Sequence, residues 1–237
     1  MMRDSPLEVN ARLQRSLRDH GLRHTLRAGW RHVAVFLSRG VDRHFDAAFG
    51  TETRGVMEND ALKDVVSPNL TRGIRYEPTR ALPFRRALRA ARVPADGGFV
   101  DLGCGKGRAL ILAVVCGFRR VTGVDYSAAL CAKAEKNLAI FRTRTRRSFH
   151  SKLLPMDAAD YAFTKDDTVV YLFNPFDAVV LSAVLARLQR SVALHPRTVW
   201  IVYHNPVWRT TIDATNAFQH VRDYSSGGCV FAIYRSH

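Results

Sequence analysis

The chain has 237 residues, 47% hydrophobic and 24% charged, which suits one globular unit with an extension and excludes a disordered or fibrous chain. No apolar run approaches the ~20 residues that span a bilayer, and the polar opening MMRDSPLEVN does not read as a secretory signal, so a cytoplasmic protein is expected. The formal charge of +15 admits a nucleic acid, an anionic membrane or an acidic protein as partner; its source is 30 scattered Arg and only 6 Lys, the usage a GC-rich genome also gives, so nucleic acid is admitted but not favoured.

In chain order, a helix is expected from Pro6 to about His20, with Leu7, Leu13 and Leu17 on one face. A second runs from about Arg23 to Leu37 and carries Leu26, Trp30, Val33 and Phe36. Such a stripe packs on the protein's own body, on a second subunit in a homodimer, or on a membrane surface; the first two are preferred. Residues 50–79 read as irregular. A helix follows over about 80–92, with Pro83 in its first turn, where proline is tolerated. Beyond residue 95 short β-rich runs alternate with helical ones, the pattern of a parallel α/β sheet. The division expected is a basic helical extension or cap over 1–94 and a catalytic domain over 95–237.

The expected sheet begins with strand 98–102, helix 107–116 and strand 120–124. Ser127 caps a helix reaching about Ile140. The basic run Arg142–Arg147 leads to a weak strand near 149–153. Then come a buried strand at 168–173, a helix at 177–192, a strand at 198–203 and a short helix at 210–217. A last pair, 218–224 and 229–234, flanks Ser225-Ser226-Gly227-Gly228, a hairpin turn that makes it antiparallel. The four cysteines, Cys104, Cys116, Cys131 and Cys229, form no C-x-x-C pair, and no His lies at zinc-finger spacing. Neither a metal site nor a disulfide framework is expected.

The chemistry-bearing segment is Phe99-Val-Asp-Leu-Gly-Cys-Gly-Lys-Gly107. Asp101 lies at the end of a buried strand, and Gly103, Gly105 and Gly107 follow, where the backbone must turn sharply before a helix N-terminus. A dinucleotide fingerprint needs glycine at 108, which is Arg108, and a P-loop needs Ser or Thr after Gly105-Lys106, which is Gly107. The D-x-G-x-G-x-G spacing instead resembles the cofactor loop of class I S-adenosylmethionine (SAM)-dependent methyltransferases. Three further positions support the resemblance. Asp125 ends the second strand, 18 residues past Gly107; Met156-Asp157-Ala158 follows the third strand; Asn174-Pro175-Phe176 follows the fourth.

The resemblance covers roughly residues 95–235 and implies a doubly wound, mostly parallel seven-strand α/β sheet with SAM as cofactor. It implies that Asp101, Gly103, Gly105 and Gly107 hold the methionine end, Asp125 the ribose, and Asp157 with the Ala158 amide the adenine. Asn174-Pro175-Phe176 is similar to the Asn-Pro-Pro-Tyr/Phe motif of enzymes that methylate amide or amino nitrogen, without its second proline. Tyr76-Glu77-Pro78-Thr79 resembles an element of some seven-strand protein lysine methyltransferases, which implies that Tyr76 and Thr79 line the methionine end and the acceptor channel. His204, in His204-Asn205-Pro206-Val-Trp208 after the fifth strand, is placed to accept a proton from a nucleophile or to serve structurally.

The function expected is methyl transfer from SAM to a nitrogen or hydroxyl of a protein or small-molecule acceptor, with Asn174, Tyr76 and His204 on the acceptor side. Three alternatives stay open: a nucleic-acid methyltransferase, a nicotinamide-dependent oxidoreductase (against which the glycine spacing speaks) and a SAM-fold binding protein without catalysis.

Overall fold

The computed structural model describes residues 40–55, 72 and 76–237. The two helices expected over residues 6–20 and 23–37, and the dimer contact expected of them, lie outside the described residues. The strands are β1 (Gly98–Leu102), β2 (Arg120–Asp125), β3 (His150–Pro155), β4 (Asp167–Phe173), β5 (Trp200–His204), β6 (Phe218–Ser226) and β7 (Cys229–Ser236). They form one seven-stranded sheet in the order β3-β2-β1-β4-β5-β7-β6. Only β7 runs against its neighbours. The chain winds outward from β1 to β3, then returns to place β4 on the other side of β1. The connections that leave β1 and β4 therefore go to opposite sides, which leaves a crevice at the carboxyl edge of the sheet.

The helices are α1 (residues 40–49), α2 (Ala81–Ala90), α3 (Arg108–Val115), α4 (Ala128–Thr145), α5 (Ala178–Leu194) and α6 (Arg209–Asp213). They cover both faces. Strand alternation sends Phe99 to one core with Phe45, Phe84, Leu110, Phe141 and Tyr171. Val100 and Leu102 enter the other, with Leu172, Leu181, Leu185 and Tyr203. All five residues of β1 are buried, which is why a central strand reads as a continuous run rather than an alternating one.

The expected elements after residue 80 are present, with ends displaced by a few residues. Two departures are larger. Helix α1 falls where no element was expected. Helix α4 continues to Thr145, so most of the basic run Arg142–Arg147 is its last turn, closed by Arg146 in the left-handed region. Phe141 is buried three residues after Leu138 and continues the apolar face, while the arginines lie on its outer side. Arg142 is also spent locally: its guanidinium lies 4.5 Å over the Phe149 ring and bonds the Phe149 carbonyl and Ser151 Oγ.

Candidate active site

The glycine loop turns between β1 and α3 with all three glycines at positive φ: 82° at Gly103, 50° at Gly105 and 80° at Gly107. Space forbids a side chain as firmly as the dihedrals do. A Cβ on Gly103 would lie 2.5 Å from Pro175 Cβ, and one on Gly105 would lie 2.1 Å from the Tyr76 ring. The loop is thus clamped between the segment after β4 and the segment before α2. It is also fastened to β2: the Gly105 amide donates to Asp125 Oδ2 at 2.8 Å, and the Ser127 amide to Asp125 Oδ1 at 3.0 Å. Ser127 Oγ then accepts from the Leu130 amide and caps α4. Asp125 is buried at the end of its strand. Asp101 is 3% exposed beside it. Burial, reinforced by the charge of Asp125, holds the Asp101 carboxyl well above the ordinary carboxylate range.

Beside the loop, Asp125, Asp157 and Ala158 line one narrow crevice together with Gly103, Tyr126 and Phe176. Its walls are largely apolar, and a carboxylate from β2 and one from beyond β3 lie along them. Asp157 caps the short 3-10 turn Ala158–Asp160 by accepting from the Ala159 amide at 2.8 Å. Tyr126 and Phe176 were not singled out in the sequence, although each is adjacent to a residue that was. Burial, with the charge of Asp125, pushes the Tyr126 phenol up to about 12, so it stays a neutral wall of the crevice.

The residues expected on the acceptor side gather at the ends of β4 and β5. Asn174 stands at φ 42° and is 7% exposed. Its Oδ1 accepts from the Tyr203 hydroxyl at 3.0 Å, and that hydroxyl in turn accepts from the Trp208 amide at 3.3 Å. His204 stacks between Phe173, centroids 3.7 Å apart, and Phe231, 4.4 Å apart. Its Nδ1 is 3.0 Å from the Tyr171 hydroxyl, which is 3.0 Å from Thr79 Oγ1, so Thr79, Tyr171 and His204 form one buried chain. Burial, aided by the charge of Arg80, lowers the His204 imidazolium to about 3. Tyr76 turns its ring onto Gly105 and donates its hydroxyl to the Thr53 carbonyl at 2.7 Å.

That last bond belongs to a set the sequence did not reveal. The Asp46 carboxylate on α1 accepts from the Thr51 and Thr53 hydroxyls and from the amides of Thr53 and Arg54. These bonds outweigh the effect of burial and lower its pKa. Segment 51–54 is thereby shaped to reach the loop. Lys106 Nζ donates to the Arg54 carbonyl at 2.8 Å, and Asn137 of α4 joins Glu52 to the Lys106 carbonyl through both ends of its carboxamide. Nearby, Arg72 ion-pairs with Asp177 at 2.6 Å, just past Phe176. Parts of the chain before residue 80 thus close over the glycine loop and the end of β4. Among the described residues no group of His, Cys, Asp and Glu could hold a metal, and no helix is long and apolar enough to cross a membrane.

Comparison with known proteins agrees with this geometry. Residues 99–194, from β1 to the end of α5, match the family model described as a methyltransferase domain. No curated protein matches the chain. Among solved structures, an RNA methyltransferase from Salinibacter ruber in complex with S-adenosyl-L-homocysteine is 21% identical, with a TM-score of 0.52 over 68% of this chain and 94% of that one. A ribosomal protein L11 methylase from Lactobacillus delbrueckii subsp. bulgaricus is 20% identical, with a TM-score of 0.48 over 65% of this chain and 77% of that one. The first of these likenesses supports the fold. Residues 99–194 thus carry a methyltransferase domain, set in a seven-stranded sheet of the class I SAM-dependent methyltransferase fold.

Proposed function

We propose that the chain transfers the methyl group of SAM to an amino or amide nitrogen of a protein or small-molecule acceptor, presented at the rim beside Asn174. The observation that carries this reading is the setting of Asn174. It is buried, held in a backbone conformation that few residues other than glycine and asparagine adopt, and fixed by the Tyr203 hydroxyl. A carboxamide oxygen has two lone pairs, so one remains to accept an acceptor's N–H. A hydroxyl acceptor needs a base, and His204 is poorly suited to that task. Its imidazolium lies at about 3, its ring is stacked on both faces, and Tyr171 engages Nδ1. In this reading His204 positions the rim through Tyr171 and Thr79.

The chemistry of the crevice lining suits the cofactor. Largely apolar walls that carry the carboxylates of Asp125 and Asp157 match the needs of a ribose and an adenine. The tight turn at Gly103 and Gly105 brings backbone close to the methionine portion. When bound, SAM supplies an electrophilic methyl on sulfur. The chain's own residues orient the acceptor's lone pair in line with it and exclude water. Asp125 would accept from the ribose hydroxyls, while Asp157 and the Ala158 amide would read the adenine edge. Tyr76 would close the methionine end by packing on Gly105.

The test is Asn174→Gly, which removes the carboxamide and tolerates the left-handed backbone. Labelled SAM and a panel of peptides, nucleosides and amine-bearing small molecules would first find a working acceptor. The variant should then turn over roughly 100- to 1,000-fold more slowly, the effect of losing about 2.7–4 kcal/mol of oriented hydrogen bonding, while S-adenosylhomocysteine affinity stays within twofold. Normal turnover would remove Asn174 from the reaction. Methylation of nucleosides alone would move the acceptor to nucleic acid.

A further inference from the structure

A cavity of about 550 Å³ lies beside α2, at the opposite edge of the sheet from the crevice. It is lined by α2, by residues 92–95 ahead of β1 and by residues 115–118 ahead of β2. In parallel strands those segments stand at the amino edge, whereas the glycine loop, Asp125 and Asp157 stand at the carboxyl edge. Helix α2 ends in a left-handed turn at Arg92, φ 53°, and the Val93 amide bonds back to the Leu88 carbonyl at 3.0 Å. That turn returns Val93 and Ala95 to the cavity, where Leu82, Val93, Val115 and Cys116 form a half-buried, apolar lining.

The same cavity is lined by Arg85, Arg86, Arg89 and Arg92, all exposed, and among the described residues no carboxylate joins them. None of the four is in an ion pair with a described residue. Burial pushes the Cys116 thiol up, while the charges of Arg85 and Arg89 and a bond from Arg85 oppose it, so both guanidiniums stand near that sulfur. Like charges three and four residues apart work against a helix. The helix dipole accounts for Arg89, in the last turn of α2, but fades before Arg85 and Arg86. The fold thus gathers positive charge around an apolar hollow and spends little of it.

We propose that this cavity binds a small amphipathic anion, whose apolar body rests on Leu82, Val93 and Val115 and whose phosphate or carboxylate end is held by the arginines. Its volume lies within the roughly 300–1,000 Å³ of small-molecule sites. Planar guanidiniums match the paired oxygens of both anionic groups. The lining speaks against a nucleic-acid strand: among the described residues that form it, Phe118 is the one aromatic, and at 2% exposure it offers no face for a base. The site stands at the far edge of the sheet from the crevice, so it does not rest on the methyl-transfer reading.

Cys104, Cys131 and Cys229 are buried and Cys116 is half-buried, so the uncharged reagent N-ethylmaleimide should label Cys116 first in the native chain and report on the cavity directly. The experiment titrates the full chain with hexyl phosphate and hexanoate, against inorganic phosphate, acetate and hexanol, at constant ionic strength. At least one amphipathic anion should occupy one saturable site by calorimetry, at least fivefold tighter than inorganic phosphate or acetate, and slow the labelling of Cys116 at least threefold. Hexanol should do neither. Arg89→Gln, at an exposed residue, should weaken binding at least fivefold with an unchanged melting temperature. Arg190→Gln, at an exposed residue of α5, should leave it as it is. Capture of the chain on phosphatidylglycerol vesicles, lost in Arg89→Gln, would identify the anion as a lipid headgroup; saturable binding without capture would identify a soluble ligand. Amphipathic anions that bind no tighter than inorganic phosphate or acetate, Cys116 labelling that they do not slow, or equal weakening in Arg190→Gln would overturn the proposal. So would an RNA that binds in an Arg89-dependent way and is not displaced by either anion. Methyl transfer is not measured, so failure here is distinguishable from failure of the proposed function.

Discussion

His204 shows how far a single residue can be read. Its place at the end of β5 follows from the apolar run before it, but its surroundings depend on register. Phe173 of β4 and Phe231 of β7 sit directly across from it, so three rings stand in a row over neighbouring strands. No local pattern announces that row, because its members come from three separated segments. The consequence is measurable. The imidazole stays neutral in the folded chain down to about pH 3 and accepts a proton near pH 6.5 when unfolded. Its contribution to stability is therefore complete above pH 6.5 and is lost as the pH falls from there towards 3. Between pH 7 and pH 5 that loss is about 2 kcal/mol. Denaturant unfolding at the two values should show the wild type losing about that much more than His204→Phe. Equal losses would mean that the folded chain protonates His204 freely.

At the scale of elements, the strands, the Ser127 cap and the Gly227-Gly228 hairpin were legible because each rests on local chemistry: apolar runs, a side-chain cap and a turn dipeptide. The described parts of the chain before residue 80 were not. Residues 50–79 lack periodicity, and segment 51–54 acquires its shape from Asp46, five to eight residues away in sequence but on another element. The expected end of α4 at Ile140 was early for a related reason: arginines on the outer face masked the buried Phe141. Asn137 is the clearest link between these parts. It is 1% exposed and bonds Glu52 and the Lys106 carbonyl together. Asn137→Ala would take the partner from part-buried backbone groups of Glu52 and Lys106, at up to about 1–3 kcal/mol each. A lowered melting temperature accompanied by weaker S-adenosylhomocysteine binding is expected, because the tether of the glycine loop goes with it. An unchanged ligand affinity in a destabilised variant would show that segment 51–54 merely packs on α4.

For the whole molecule, the parallel α/β pattern read from the alternation of β and helical runs, and the doubly wound, mostly parallel seven-strand sheet implied by the resemblance, carried over directly. The large positive charge carried less, because many arginines serve the fold. Arg197 holds four carbonyls at the foot of the sheet. Arg222 bonds the Ala90 carbonyl, and Arg209 pairs with Asp213 and Asp223. Composition counts such residues as free charge, whereas the structure places them in contacts. What the account rests on is the crevice at the switch point between β1 and β4, where Asp125 anchors the glycine loop and lines the wall. Calorimetric titration with S-adenosylhomocysteine tests it most directly. The account predicts one site per chain, with affinity reduced at least tenfold in Asp125→Ala, since the carboxylate's charge-assisted bonds are worth roughly 1.5–3 kcal/mol each. A folded wild-type chain that takes up no S-adenosylhomocysteine would contradict it.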